Sequence, residues 1–597
     1  MTVKQSYFLY PVSLILIALL LQACGSAPPK DQATKPTASS TRYSASSDRD
    51  LRLPPSQYSA QFAAADAALG QRDWMTASSV LVELEQVPLN SDDLAFREYL
   101  LARIEYVRGN QDSADARLKA LDRPELNLGI AYRVHNFQRH LLGLERMYLQ
   151  SAQLGVRIMG IAPATEHAAL KRSIWRDLQR SSSGSIKQAA ESAVDPVWLG
   201  WLELASIADH HPTTLAVELP RWQANHPGHP AASPLPGGLE FLLTPTPAPQ
   251  QVALVLPLSG RLAPAGKAIR DGYLANYFTA RNKGDAPYEI MVLDSDLYGT
   301  AVEAYTAAVQ QGAQLVVGPL SKASVAELAS TSNRAVPTIA LNRIDQPVAA
   351  DTTALVQLSL APEDEARQLA QLAFGAGARR ALILRPAGRW GDEMEAALSK
   401  EWRALGGSIA QNISYTGQDD YSAGVKSGLG IEASEQRRSK VRDMLATNVE
   451  FTPRRRDDLD AIFMLSRNPE EARAIKPLLA FHYAGALPVY ASSSVYGARP
   501  DSRNQDLDGT TIVELPWLLG SNPVLKQSLA GANSDHYTRL NALGADAYLL
   551  QSRLVQLQAG PDVLIRGDTG LLSMNPQLQI ERELPPAIFD GDRLKPL

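Results

Sequence analysis

Hydrophobic positions change their period once along this chain. From Tyr58 to about Asn225 they recur three and four residues apart, as on helix faces. From Val252 onward, short apolar runs of strand length alternate with such faces. FAAADAALGQRDWMTASSVLVEL predicts two helices joined by a turn at Gly70, with Ala64, Ala68, Trp74, Ala77 and Leu81 in the pattern. LLARIEYVRGNQDSADARLKAL repeats the scheme with Gly109 as the turn and Ala116 beyond it. Gly70 to Ala77 and Gly109 to Ala116 share a spacing of seven, and small residues there let antiparallel helices approach. Further helices are expected over Ala131 to Gly155, Ala164 to Gln179 and Ser185 to Asp209. Trp198, Trp201 and Trp222 read as packing between hairpins rather than as ligand contacts.

Asn225-His226-Pro227-Gly228-His229-Pro230 ends the helices. Pro234, Pro236, Pro245, Pro247 and Pro249 mark an interdomain linker over 231–250. His226 and His229 sit in a Pro-rich turn with no third ligand nearby, which favours a structural role over a metal site.

Val252 to Leu258 is a nearly all-apolar run, as expected for a strand buried on both faces. Ser259-Gly260 breaks it, and a loop with Pro264 and Gly266 leads into a helix face made by Ala268, Ile269, Tyr273, Leu274, Tyr277 and Phe278. Further strands are expected at Tyr288–Leu293, Gln314–Val317, Val336–Leu341, Ala354–Leu360, Arg380–Leu384, Ser408–Tyr415, Leu459–Leu465, Leu487–Ala491 and Thr510–Leu515. Helices fall between most of them, among them Pro362–Phe374, Asp392–Leu405, Glu470–Ala480 and Asp535–Gln558. Such alternation implies parallel sheets. The stretch from 251 to 597 exceeds one ordinary doubly wound domain, so two lobes are expected. The C-terminal LSMNPQLQIERELPPAIFDG reads as two short strands around Asn575-Pro576.

The first residues look different. Lys4 precedes an apolar run from Val12 to Leu21, too short to span a bilayer and suited to the core of a signal peptide. Leu21-Gln22-Ala23-Cys24 follows and resembles the bacterial lipobox, which implies cleavage after residue 23 and lipidation of Cys24. Cys24 is the only cysteine, so no intramolecular disulfide is expected. Where the lipobox pattern retains a protein at the inner membrane, Asp commonly follows the cysteine. Gly25 stands here, so the resemblance implies the outer membrane. Residues 24–55 form an expected tether, rich in Ser, Thr, Ala and Pro and without the apolar residues for a core.

The net charge of −5, with both signs interspersed, gives no global basic field, and no nucleic-acid partner is expected. Arg454-Arg455-Arg456 runs into Asp457-Asp458 and reads as a self-compensated loop. Catalytic patterns are missing. No lysine has Ser or Thr three residues earlier, and there is no His-Glu-x-x-His, Gly-x-Ser-x-Gly or Walker loop. A non-enzyme without metal or cofactor is the expectation.

LVLPLSG, AGKAIRDGY, VVGPLSKAS and VPTIALN resemble type I periplasmic solute-binding proteins of the branched-chain amino acid class. That implies two α/β lobes with a ligand cleft between them. The positions matching cleft-lining loops are Ser259, Gly260, Ser321 and Ser324, with Tyr421 in DDYSAG. Ser321 would equally serve as a helix cap. The hairpins over 56–230 resemble tetratricopeptide repeats, although the period of 39 exceeds the usual 34. The fold expectation is therefore multidomain: an all-α tetratricopeptide-like N-terminal domain and a two-lobed α/β periplasmic-binding-protein type I domain over 251–597. Lipobox, tether, helical hairpins, the NHPGHPA linker and the LPLSG domain together resemble the penicillin-binding protein activator lipoproteins, the LpoA family. That resemblance implies an outer-membrane lipoprotein that stimulates a bifunctional class A penicillin-binding protein and does no chemistry itself. The alternative is a periplasmic solute-binding sensor lipoprotein.

Overall fold

The structure is a computed structural model that describes residues 51–597 apart from 245–246, 286–287, 333, 349–352, 448–449 and 530–536. The expected signal segment, Cys24 and the tether up to residue 50 lie outside the described residues.

The helical domain runs through Ser59–Gly70, Trp74–Glu83, Ser91–Val107, Gln111–Ala120, Leu128–Leu144, Tyr148–Met159, Ala164–Arg180, Ser183–Ser192, Pro196–Ile207 and Pro212–Asn225. Short polar side chains start several of these helices. Asp73 accepts from the Thr76 amide at 3.1 Å, and Asn90 from that of Asp93 at 2.8 Å. Two of the expected helices are broken. Ala131–Gly155 divides between Leu144 and Tyr148, where Arg146 takes a left-handed φ of 60°. Ser185–Asp209 divides before Pro196, whose missing amide suits the first turn of a new helix capped by Asp195. The repeat also has a different register. The buried pair Ala77 and Leu81 returns as Ala114 and Leu118, while Ala116 is exposed. Gly109 therefore corresponds to Arg72, also at positive φ, and not to Gly70.

The α/β region begins with β1 (Gln251–Leu256), β2 (Glu289–Asp294), β3 (Leu315–Val317), β4 (Thr338–Ala340) and β5 (Leu355–Gln357). They form a parallel five-stranded sheet in the order β2-β1-β3-β4-β5. The second lobe holds β6 (Arg380–Pro386), β7 (Ser408–Tyr415), β8 (Ala461–Met464), β9 (Val489–Ala491) and β10 (Thr510–Val513). Three short strands follow, β11 (Ile565–Arg566), β12 (Leu571–Met574) and β13 (Ile580–Glu583), as a separate antiparallel sheet around the turn at Asn575. Finally β14 (Pro586–Asp590) and β15 (Arg593–Pro596) extend the second lobe to seven strands, ordered β15-β14-β10-β9-β8-β6-β7. Both pair antiparallel, β14 on β10 and β15 on β14, so that β15 forms the edge added to a parallel sheet.

One helix belongs to both lobes. Thr538–Leu557 places Leu543, Ala547, Tyr548 and Leu550 in the first lobe's core, and Ala542 and Ala545 in that of the second. It packs on Ala263–Asn282 through glycines. A Cβ on Gly272 would stand 2.0 Å from the Asn541 carbonyl oxygen, and one on Gly544 2.0 Å from that of Ile269. Asn541 Nδ2 donates to Ala268 O at 2.8 Å and Asn276 Nδ2 to Ala545 O at 3.1 Å, so polar groups are paired within the contact.

Candidate functional site

The lobes enclose a cavity of about 710 Å³. The C-terminal ends of β3, β4 and β5 supply Lys322, Asn342, Arg343 and Ser359 on one side. The helix Arg389–Ala404 supplies Glu393 and Lys400 on the other, and Leu540 and Leu543 of the shared helix form part of the wall. Charges of both signs alternate around the opening. Behind it, towards the helical domain, Asp364 is almost wholly buried and accepts from the cleft residue Arg343 through Nη1 at 3.2 Å and from Arg367, with Arg582 Nε at 3.8 Å. Three guanidinium groups around one carboxylate hold the crossover between the lobes. Ser359 Oγ is buried there with no hydrogen-bond partner among the described residues.

Next to this cluster Glu365 accepts from the amide of Ser493 at 3.1 Å and from its hydroxyl at 2.9 Å. Burial, reinforced by the nearby Glu514, pushes its carboxyl above the usual range. Glu514 is itself paired with Arg539, which also donates to the carbonyls of Ser493 and Tyr496 at 3.1 and 3.0 Å. These bonds fix the start of the shared helix to the second lobe.

None of the five expected cleft residues lines this cavity. Ser259 is exposed just past β1, hydrogen-bonded to Asp294, and Gly260 turns there with a φ of 67°. Ser321 Oγ accepts from the Ser324 amide at 3.0 Å and pairs with Ser324 Oγ at 2.8 Å, which is the capping arrangement. Tyr421 lies on Gln418–Gly428 with its ring edge-on to Tyr415, centroids 5.0 Å apart, in the second lobe's core. Sequence reasoning missed Arg343, which lines the cleft, and Asp364 and Arg582 behind it, which line the second cavity; all are charged residues whose burial leaves no periodic signal.

A second cavity, of about 780 Å³, separates the helical domain from the lobes. Its walls carry paired charges. Arg180 donates to Glu583 Oε2 at 3.0 and 2.8 Å, and Arg176 meets Asp562. Within the helical wall Arg139 pairs with Asp177 at 2.5 Å. Beside this cavity the contact includes buried side chains. Arg553 donates to the carbonyls of Ala208 (3.2 Å) and His210, and burial pushes its pKa down to about 10. Arg566 donates to Leu178 O and Asp209 at 2.7 Å each.

The linker takes part in this contact. Leu235, Leu239 and Leu242 are buried, Gln556 Nε2 donates to Gly237 O at 2.8 Å, and a Cβ on Gly237 would strike Trp175. His226 pairs with Glu203 at 2.7 Å. His229 Nδ1 accepts the Ala231 amide and its Nε2 donates to Val197 O at 2.9 Å. Burial pushes the His229 pKa down to about 4, consistent with that neutral tautomer. Both rings pack on Trp222, so the motif ties the last helices together.

The fold is therefore that of a two-lobed α/β binding protein carrying a helical-repeat domain. The LppC putative lipoprotein family matches residues 34–590, and the chain belongs to that family. It is 28% identical over 608 residues to the penicillin-binding protein activator LpoA of Aliivibrio fischeri, with 98% of each chain covered. To the penicillin-binding protein activator LpoA of Vibrio cholerae serotype O1 it is 30% identical over 459 residues, with 74% of each covered. Full-length LpoA from Haemophilus influenzae aligns over 92% of this chain and 96% of that one, at 22% identity and a TM-score of 0.47.

Proposed function

We propose that this chain binds a bifunctional class A penicillin-binding protein and activates it, regulating peptidoglycan synthesis. The observation that carries this reading is the match over nearly the whole chain to relatives named as such activators. The layout proposed is a signal peptide to residue 23, lipidated Cys24 and tether to 55, helical domain 56–230, linker 231–250 and α/β domain 251–597. Cys24 anchors the chain to the periplasmic side of the outer membrane, with Gly25 as the sorting residue. The chain acts by contact and not by chemistry of its own. Binding shifts the synthase only if contact favours its active state over its resting one.

The test is glycan polymerisation and crosslinking by a purified class A penicillin-binding protein, with and without the soluble chain from residue 51. A rise in rate is expected; unchanged rates with every cognate synthase, despite folded protein, would contradict the reading. The second reading, a solute sensor, is favoured by the cavity of about 710 Å³ and the Ser359 hydroxyl, which has no hydrogen-bond partner among the described residues. Calorimetry against amino acids and muropeptides separates the two.

A further inference from the structure

The helix Ile431–Leu445 leaves the body of the second lobe. Of its residues, only Ile431 and Ser434 are buried. Its start is held by the Arg454 amide on Ser434 Oγ at 3.3 Å and by Lys426 on Glu435 at 3.1 Å. Every residue from Gln436 to Leu445 is exposed. Residues at helical spacings of three and four share a face, so the side that Ile431 and Ser434 bury continues outward through Arg438, Val441 and Leu445. Val441 is 43% exposed, Leu445 59% and neighbouring Met444 83%. The apolar stripe thus runs out of the core into water, with Arg438 near the Phe451 ring at 5.4 Å.

Positive charge lies on the stripe at Arg438 and beside it. Arg437, Arg438, Lys440 and Arg442 stand on these exposed turns against a single acid, Asp443, in a chain of net charge −5. Arg454 and Arg455 lie alongside. Arg455 Nε donates to Tyr483 O at 3.1 Å, which joins the helix base to the exposed Phe481 and Tyr483. A helix of this length held at one end is marginal in water, and packing of an apolar face is what stabilises such helices. Three apolar side chains bury little area in a lipid interface, where binding scales with that area, and they suit a narrow protein groove.

We propose that this helix is the surface through which the chain docks on its partner, and that the partner presents an apolar groove with an acidic rim. The proposal rests on the synthase-activator reading and places its contact on the second lobe. Basic flanks steer the encounter and the stripe holds the complex.

Two variants of the soluble chain test it, Val441→Asp with Leu445→Asp, and Arg437→Glu with Arg438→Glu. Binding to the class A synthase, by surface plasmon resonance, should weaken about tenfold or more in each, and stimulation of glycan synthesis should fall with it. The thermal midpoint should stay unchanged because the altered side chains are exposed. Arg437→Lys with Arg438→Lys should retain binding, and rising salt should weaken the parent chain more than the Glu variant. If both disruptive variants bind and activate like the parent, the docking surface is elsewhere and the activator reading survives. If the parent itself neither binds nor activates, both readings fall. Variants that lose sedimentation with phosphatidylglycerol vesicles while keeping activation would make the helix a membrane contact and overturn the proposal.

Discussion

The molecule has two internal seams of opposite character. Between the lobes, Thr538–Leu557 and Ala263–Asn282 meet backbone to backbone at Gly272 and Gly544, and apolar residues of the shared helix enter both cores. Between the helical domain and the lobes, contact is made largely by arginines on carbonyls and carboxylates, with the linker leucines buried among them, beside a cavity of about 780 Å³. Close-packed apolar seams resist deformation. The pairs at this seam that reach solvent, such as Arg176 with Asp562, contribute little and are screened by salt. The lobes should therefore behave as the stiffer unit, and the helical domain as the part that shifts.

Breaking the apolar seam should cost most. Gly272→Val or Gly544→Val drives a side chain into a helix backbone, and stability should fall by about 3 kcal/mol, read as a lower thermal midpoint. Next comes Arg553→Met, which leaves the Ala208 and His210 carbonyls without their donor. A loss of about 2 kcal/mol is expected, and calorimetry should resolve the helical domain from the lobes as separate transitions.

A pH effect links the two seams. Asp546, on the shared helix, accepts from the amides of Asp568 and Thr569 at 2.7 Å each, and so holds the turn that follows Arg566. Burial, with Asp568 adding like charge, pushes Asp546 up to about 7, and burial raises Asp568 also. A carboxyl raised in the folded state contributes stability that is full below its unfolded value near 3.8 and is lost as pH rises through about 7. The thermal midpoint should accordingly be higher at pH 5 than at pH 8, and Asp568→Asn should flatten that slope.

The smallest effect belongs to the partly exposed ion pairs at the second cavity. Arg176→Ala with Arg180→Ala should cost under about 1 kcal/mol, with a salt dependence weaker than the parent's, yet it should widen the spread of interdomain distances.

Much of this architecture is legible in the residues. The strands of both parallel sheets appear as short apolar runs because burial on two faces removes polar alternation, and each expected strand is found within a few residues. What was illegible follows from local physics. Arg146 turns a helix corner at positive φ without the glycine that usually marks one. Pro196 was visible, but the preceding stretch kept helical periodicity. β14 and β15 are short strands added antiparallel at one side of the sheet, and Pro586 at the start of β14 masks the pattern. Ser321 and Ser324 carry a motif whose local job, capping, satisfies their hydroxyls without a ligand. Arg553 and Arg566, which join the domains, are charged residues that a hydrophobic pattern reads as surface.

The most direct test compares the two seams in one preparation. The soluble chain has no cysteine, so spin labels can be placed at Lys322→Cys and Lys400→Cys across the cleft, or at Met147→Cys and Gln371→Cys across the interdomain cavity. Pulsed electron resonance should give a narrow distance distribution for the cleft pair and a broader, salt-sensitive one for the interdomain pair. A cleft distribution as broad as the interdomain one would contradict the account.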